Sequence, residues 1–158
     1  MFRTPSLRVL GVIMLALAFV LATCEQSAPE LASRTAADEG TGDVEERLHG
    51  AWLRNSMQEG IKSRRILELR ADGSFRERVR LIDRSGVETE FVHEGTWLYD
   101  GTNLKRKYTV MNGKPPSRLN LPFATFAISF VSKDEFQGVD HIRGHKVHYT
   151  RVAADTEL

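Results

Sequence analysis

Apolar and polar residues are distributed along this chain in two regimes. The first, Val9 to Ala22 (VLGVIMLALAFVLA), is almost wholly apolar and follows a head that carries Arg3 and Arg8. It is shorter than the roughly 20 apolar residues of a membrane-spanning helix and has the length of the apolar part of an export signal. The second regime opens with DVEERLHGAW, which predicts a single helical turn with Asp43 as N-cap and Gly50 as its stop. From there the period is two, the mark of strands with one covered face. The runs AWLRN, RRILELR, SFRERVRLID, VETEFVHEGTWLYD, LKRKYTVM, SRLNLPF, ATFAISFVS, EFQGVD and HKVHYTRV follow in order. Between them stand turn signals: Ala71-Asp72-Gly73, Arg84-Ser85-Gly86, Asp100-Gly101, Asn112-Gly113, the stretch KPPS, Lys133-Asp134 and Arg143-Gly144. The pattern predicts about eight strands with short connections and no long helix. Such a meander avoids exposed edges by closing on itself, so the expected fold is all-β, an antiparallel up-and-down barrel.

Alternation also assigns faces. Phe75, Glu77, Val79 and Leu81 share one face of their strand, opposite Arg76, Arg78 and Arg80. Val87, Thr89, Phe91, His93, Trp97 and Tyr99 oppose Glu88, Glu90, Glu94 and Thr96. Leu104, Arg106, Tyr108 and Val110 oppose Lys105, Lys107, Thr109 and Met111, and His145, Val147, Tyr149 and Arg151 oppose Lys146, His148 and Thr150. A bulge inverts the facing of everything beyond it. Glu77, His93, Arg106 and Arg151 thus fall on otherwise apolar faces, where a charge must be paired or neutralised. One expectation is an internal cavity whose arginine-centred patch fixes an anionic or amphiphilic ligand. Its candidate ligand-binding residues are Glu77, His93, Trp97, Arg106, Tyr108 and Tyr149. The other is that these groups lie half exposed at strand ends. The outward arginine and glutamate rows are expected to form a solvated ladder of opposite charges.

Composition narrows the function classes. The 158 residues, 41% hydrophobic and 27% charged, suit one globular domain. The 22 basic residues include Arg3 and Arg8, so the chain beyond Cys24 balances near neutrality against its 21 acidic residues. That balance gives no bulk attraction for nucleic acid, and no nucleic-acid partner is expected. No G-x-S-x-G, H-E-x-x-H or glycine-rich phosphate loop occurs, so neither catalysis nor a cofactor is expected. His141, His145 and His148 are spaced across a turn and on opposite strand faces, so no metal is expected there. Cys24 is the single cysteine, and a thiol in an exported chain needs a partner or a modification.

The first residues resemble a bacterial lipoprotein signal. Leu21 and Ala22 stand at the −3 and −2 positions of the lipobox, Thr23 takes the place of the usual Gly, Ala or Ser, and Cys24 is the residue that receives the diacylglycerol. The resemblance implies a signal peptide over residues 1–23 and a lipidated Cys24 with a flexible tether over 24–43. Glu25, rather than Asp, after the cysteine implies sorting to the outer membrane, facing the periplasm of the cell envelope. The tether has no apolar period and a reach of about 20–25 Å.

Gly50-Ala51-Trp52, on the first strand after a helical turn, resembles the G-x-W signature of the lipocalins. In that family the Trp plugs the barrel base beneath an Arg of the last strand, and Arg151 stands at the matching place. The second Gly95-Thr96-Trp97 and the last strand resemble small bacterial lipocalin-like domains, and the T-D-Y signature is absent. The resemblance spans residues 44–152, leaves a C-terminal tail over 153–158, and implies that Gly50, Trp52 and Arg151 close the barrel. The expected function is that of an envelope lipoprotein binding a hydrophobic or amphiphilic small molecule, anchored to the membrane by its lipid. The alternative is an accessory module docking an envelope protein complex through its outer face, by an exposed apolar patch such as Phe123, Phe126 or Phe130.

Overall fold

The structure is a computed structural model that describes residues 42–119 and 121–158. The expected signal segment, Cys24 and nearly all of the expected tether lie outside the described residues. A short helix, α1 (residues 42–48), leads into eight strands: β1 (Gly50–Gln58), β2 (Ile61–Leu69), β3 (Ser74–Ile82), β4 (Glu88–Tyr99), β5 (Asn103–Met111), β6 (Phe123–Ser132), β7 (Glu135–Asp140) and β8 (Lys146–Val152). Each pairs antiparallel with its neighbours in sequence, and β8 returns to β1, so the sheet is a closed up-and-down barrel. This is the all-β meander that the period-two runs predict.

The hairpins form where the turn chemistry is written. Asp72, Asp83, Asp100 and Asp140 each accept a backbone N–H two residues on, the local bond that lets aspartate start a turn. Asn112 and Gly113 both take positive φ, 51° and 75°, as a two-residue hairpin turn of the primed kind requires. The run SRLNLPF departs from its expected strand. Pro115, Pro116 and Pro122 offer no N–H to a ladder, and β6 begins only at Phe123. β1 in turn runs longer than AWLRN, because Ser56, Met57 and Gln58 continue the pairing down to Ile61.

Facing follows the alternation on β3, where Phe75, Glu77 and Val79 are buried. On β5 it breaks. Glu94 pairs with Val110 and Gly95 with Tyr108, so Thr109 is an extra residue in β5. Beyond this bulge the facing inverts. Met111, expected outward, stands opposite His93 and lines the interior, whereas Val110, expected inward, pairs with the exposed Glu94. Gly95 is the other half of the bulge, since a Cβ there would sit 1.9 Å from the Lys107 carbonyl oxygen.

Outside the barrel, Arg76–Glu94 and Arg80–Glu90 form the expected charge ladder at 3.7 and 2.8 Å. Arg78 departs from it and donates to the Thr156 carbonyl, while Arg64 donates to that of Glu157. The tail over 153–158 therefore crosses the outer face of β2 and β3. Ile66 points outward between these two arginines yet is only 2% exposed. The core fills one end of the barrel with Leu48, Trp52, Leu67, Leu69, Phe75, Leu104, Phe136 and Tyr149 among others. All eight strands of the closed sheet and the core cluster they surround lie within residues 42–158, so a chain of these residues keeps the barrel's own pairings and core.

Candidate functional site

The two ends of the barrel differ in chemistry. The end facing α1 is shut. Leu48 is fully buried, and its carbonyl accepts the Trp52 indole N–H at 2.7 Å. Trp52 and Arg151 are direct cross-strand partners on β1 and β8, with the guanidinium 4.2 Å from the indole centroid. The Arg151 Nη1 and Nη2 donate to the carbonyls of His49 and Arg47 at 2.7 and 2.6 Å. Arg151 thus stacks on the plug and also satisfies the carbonyls at the end of α1, which have no partner within the helix. Gly50 makes room for it: φ is 116° there, and a Cβ would meet Arg151 Nη1 at 2.9 Å. Gly50, Trp52 and Arg151 form one closure, and Arg151 takes no part in the interior polar network.

The other end is open. A cavity of about 590 Å³ enters there and is lined from all eight strands. β1 and β8 pair only over Ala51–Leu53 and Thr150–Val152. Past that point they stay unpaired, with Arg54 and Ser56 lining the cavity on one side and His145 and Val147 on the other. Leu121, Phe123 and Ile142 form an apolar, exposed rim.

At the floor lies an ion cluster. Glu77, 1% exposed, accepts Arg106 Nη1 at 2.6 Å and Arg65 Nη1 at 3.0 Å on one oxygen, and the Tyr108 hydroxyl at 3.2 Å on the other. Burial alone would raise the Glu77 pKa, but the Arg106 and Arg65 guanidinium groups outweigh it and hold it at about 2. Burial likewise works against the charge on Arg106, yet Tyr108 and Glu77 raise its pKa, so the pair is ionised. Burial pushes Tyr108 up and His93 down, leaving His93 neutral at neutral pH.

Of the residues expected to bind a ligand, Glu77, His93, Arg106 and Tyr108 come together at this floor. Trp97 and Tyr149 do not line the cavity. Trp97 points inward but lies toward the shut end, donating its indole N–H to the Arg70 carbonyl and meeting the edge of His49. Tyr149 is stacked on Phe136, 4.9 Å between centroids, beneath the floor. Besides Arg143 in the β7–β8 connection, two strand arginines that sequence reasoning passed over, Arg54 and Arg65, line the cavity. The signal for them was present: Arg54 is two residues past Trp52, and Arg65 two before Leu67.

The three candidate patch phenylalanines are placed differently. Phe126 is buried, Phe130 lies 4.0 Å beneath the Arg47 guanidinium, and Phe123 belongs to the cavity rim. His141 bonds Asn103 at 2.7 Å and His148 faces Glu135 at 3.7 Å. No group of three metal-ligating side chains gathers among the described residues. Comparison with protein-family models and with curated proteins finds no match. The fold and the site together define an eight-stranded closed barrel with one shut end and one charged, open cavity.

Proposed function

We propose that this chain is an envelope lipoprotein whose barrel binds a hydrophobic or amphiphilic small molecule and performs no reaction on it. The observation that carries this reading is the cavity itself. Its volume, about 590 Å³, lies within the range of roughly 300–1,000 Å³ that small-molecule sites occupy. Its floor carries the ion cluster and one side of its mouth the apolar Leu121, Phe123 and Ile142, so an amphiphile finds partners for both of its ends. The lipocalin resemblance supports the same reading through the Trp52–Arg151 closure.

The test is titration of residues 42–158 with 1-anilinonaphthalene-8-sulfonate, an amphiphilic fluorophore. Saturable binding of one dye per chain is expected. Ala124, half-buried on the cavity wall, offers the control: Ala124→Trp fills the space and should abolish the signal while the far-ultraviolet spectrum stays β-rich. Dye binding that does not saturate, or that survives Ala124→Trp, overturns the reading.

The anchor is proposed from LATC and the apolar run before it. Replacing Cys24 with Ser should move the chain from the membrane fraction to the soluble one. A Ser variant that still pellets with membranes, uncleaved, would point to an anchor helix instead.

A further inference from the structure

Charge in the cavity does not balance. Arg54 and Arg65 are direct cross-strand partners on β1 and β2, and both line the cavity. Like charges placed so repel unless an anion lies between them. Arg65 shares Glu77 with Arg106, and the other Glu77 oxygen is taken by Tyr108. Among the described residues Arg54 has no hydrogen-bond or carboxylate partner, and it is half-buried. Three guanidinium groups therefore stand against one carboxylate on this part of the wall, which leaves two positive charges over.

Two further donors or acceptors lack partners in the same wall. Arg106 is 2% exposed, and its Nε–H has no acceptor; His93 Nδ1 is also buried without a partner. A buried polar atom left unpaired costs free energy, and a ligand atom that pairs it recovers that cost. The acids nearer the mouth do not supply the missing charge. Asp140 accepts the backbone N–H groups of Ile142 and Arg143, and Arg143, which also lines the cavity, offsets its charge in the count. Glu59 is exposed in the β1–β2 turn.

We infer that the cavity wall between Arg54, Arg65 and His93 is a subsite for a phosphate group, entered head first by a phosphate-bearing amphiphile. This inference rests on the proposed amphiphile binding and specifies its head group. A phosphate monoester at neutral pH carries close to two negative charges, which matches the excess, and its oxygens accept the forked N–H donors of arginine. The chain of the amphiphile then points toward Leu121, Phe123 and Ile142 at the rim.

The experiment is calorimetric titration of residues 42–158 with octyl phosphate, octan-1-ol and inorganic phosphate. Octyl phosphate should bind at least about tenfold tighter than octan-1-ol, as charge-assisted hydrogen bonds to arginine require. Arg54→Met should remove most of that difference, and Arg54→Lys should keep part of it. Equal affinity for octyl phosphate and octan-1-ol, with both binding, overturns the subsite and leaves the amphiphile reading intact. An Arg54→Met chain that binds octyl phosphate like the parent also overturns it. Inorganic phosphate binding as tightly as octyl phosphate supports the subsite but overturns the amphiphile reading, because the apolar rim would then contribute nothing. Absence of binding by all three overturns both. Arg54 is half-buried on the open half of the barrel, so its variants test the site with the shut end untouched.

Discussion

Replacing Glu77 with Gln removes one charge and almost no volume, and it isolates the electrostatics of the cavity floor. The carboxylate holds two guanidinium groups, and Arg106 is as buried as Glu77 itself, each side chain 1% exposed. Gln keeps one acceptor oxygen but leaves Arg106 as a buried charge without a counter-ion. Breaking a buried pair in this way costs about 3–5 kcal/mol. Titration gives an independent figure. A carboxyl shifted from 4.5 unfolded to about 2 folded contributes about 3 kcal/mol at neutral pH. The expected loss is thus about 3–4 kcal/mol out of a total of about 5–15 for a domain of this size. Urea unfolding of residues 42–158 should show it as a lower midpoint with an unchanged slope.

The pH dependence fixes the mechanism. Glu77 has a lowered folded pKa, so its contribution is fully present above 4.5 and is lost as pH falls from there toward 2. The gap between the parent and Glu77→Gln should therefore narrow through that window. A loss under about 1 kcal/mol at pH 7, or a gap that stays constant down to pH 2, would refute the reasoning.

Two other perturbations address the fold. Gly95→Ala drives a Cβ into the Lys107 carbonyl at 1.9 Å and the Phe75 ring at 2.8 Å; it should cost about 3 kcal/mol, read by thermal unfolding, and a neutral result would dismiss the bulge as the reason for glycine. Trp52→Ala should cost about 3–5 kcal/mol as a fully buried aromatic, and Arg151→Ala less, because water replaces part of its contact with the α1 carbonyls; equal losses in denaturation would count against that ordering.

Most of the barrel was legible because strands with one wet and one dry face must alternate, and the turn residues between them are chemically distinctive. Glu77 and Arg106 stood out for the same reason: Phe75 and Val79 flank the first, Leu104 and Tyr108 the second. Arg54 and Arg65 were hidden by their neighbours. Arg65 is spaced two residues from Leu67, but Arg64 has the same spacing from the equally apolar Ile66, so the run RRILELR alone does not say which arginine turns inward. The β5 bulge had no signal of its own in the run LKRKYTVM. Its cause lies in a contact across strands, where Gly95 lets the Lys107 backbone come close. The run SRLNLPF misled in the opposite sense, since Leu119 and Leu121 alternate like a strand but stand exposed, Leu119 at 96%. A pattern of apolar residues reports burial only where backbone donors are available to build a sheet, and Pro122 removes one at the critical point.

The division between the two ends of the barrel bears on why the cavity is charged at all. The shut end already has a closed core, an indole plug and a guanidinium that ties the helix to the last strand. Stability gives no reason to add a buried ion cluster above it, because apolar residues of equal volume would hold a barrel at least as well. Joint replacement of Glu77 with Leu and Arg106 with Met separates the two roles. It removes both buried charges and leaves Arg65, 27% exposed, able to hydrate. The double variant should be more stable than Glu77→Gln alone, despite carrying more changes. If it is as stable as the parent but binds octyl phosphate more weakly, then the cluster serves the cavity rather than the fold.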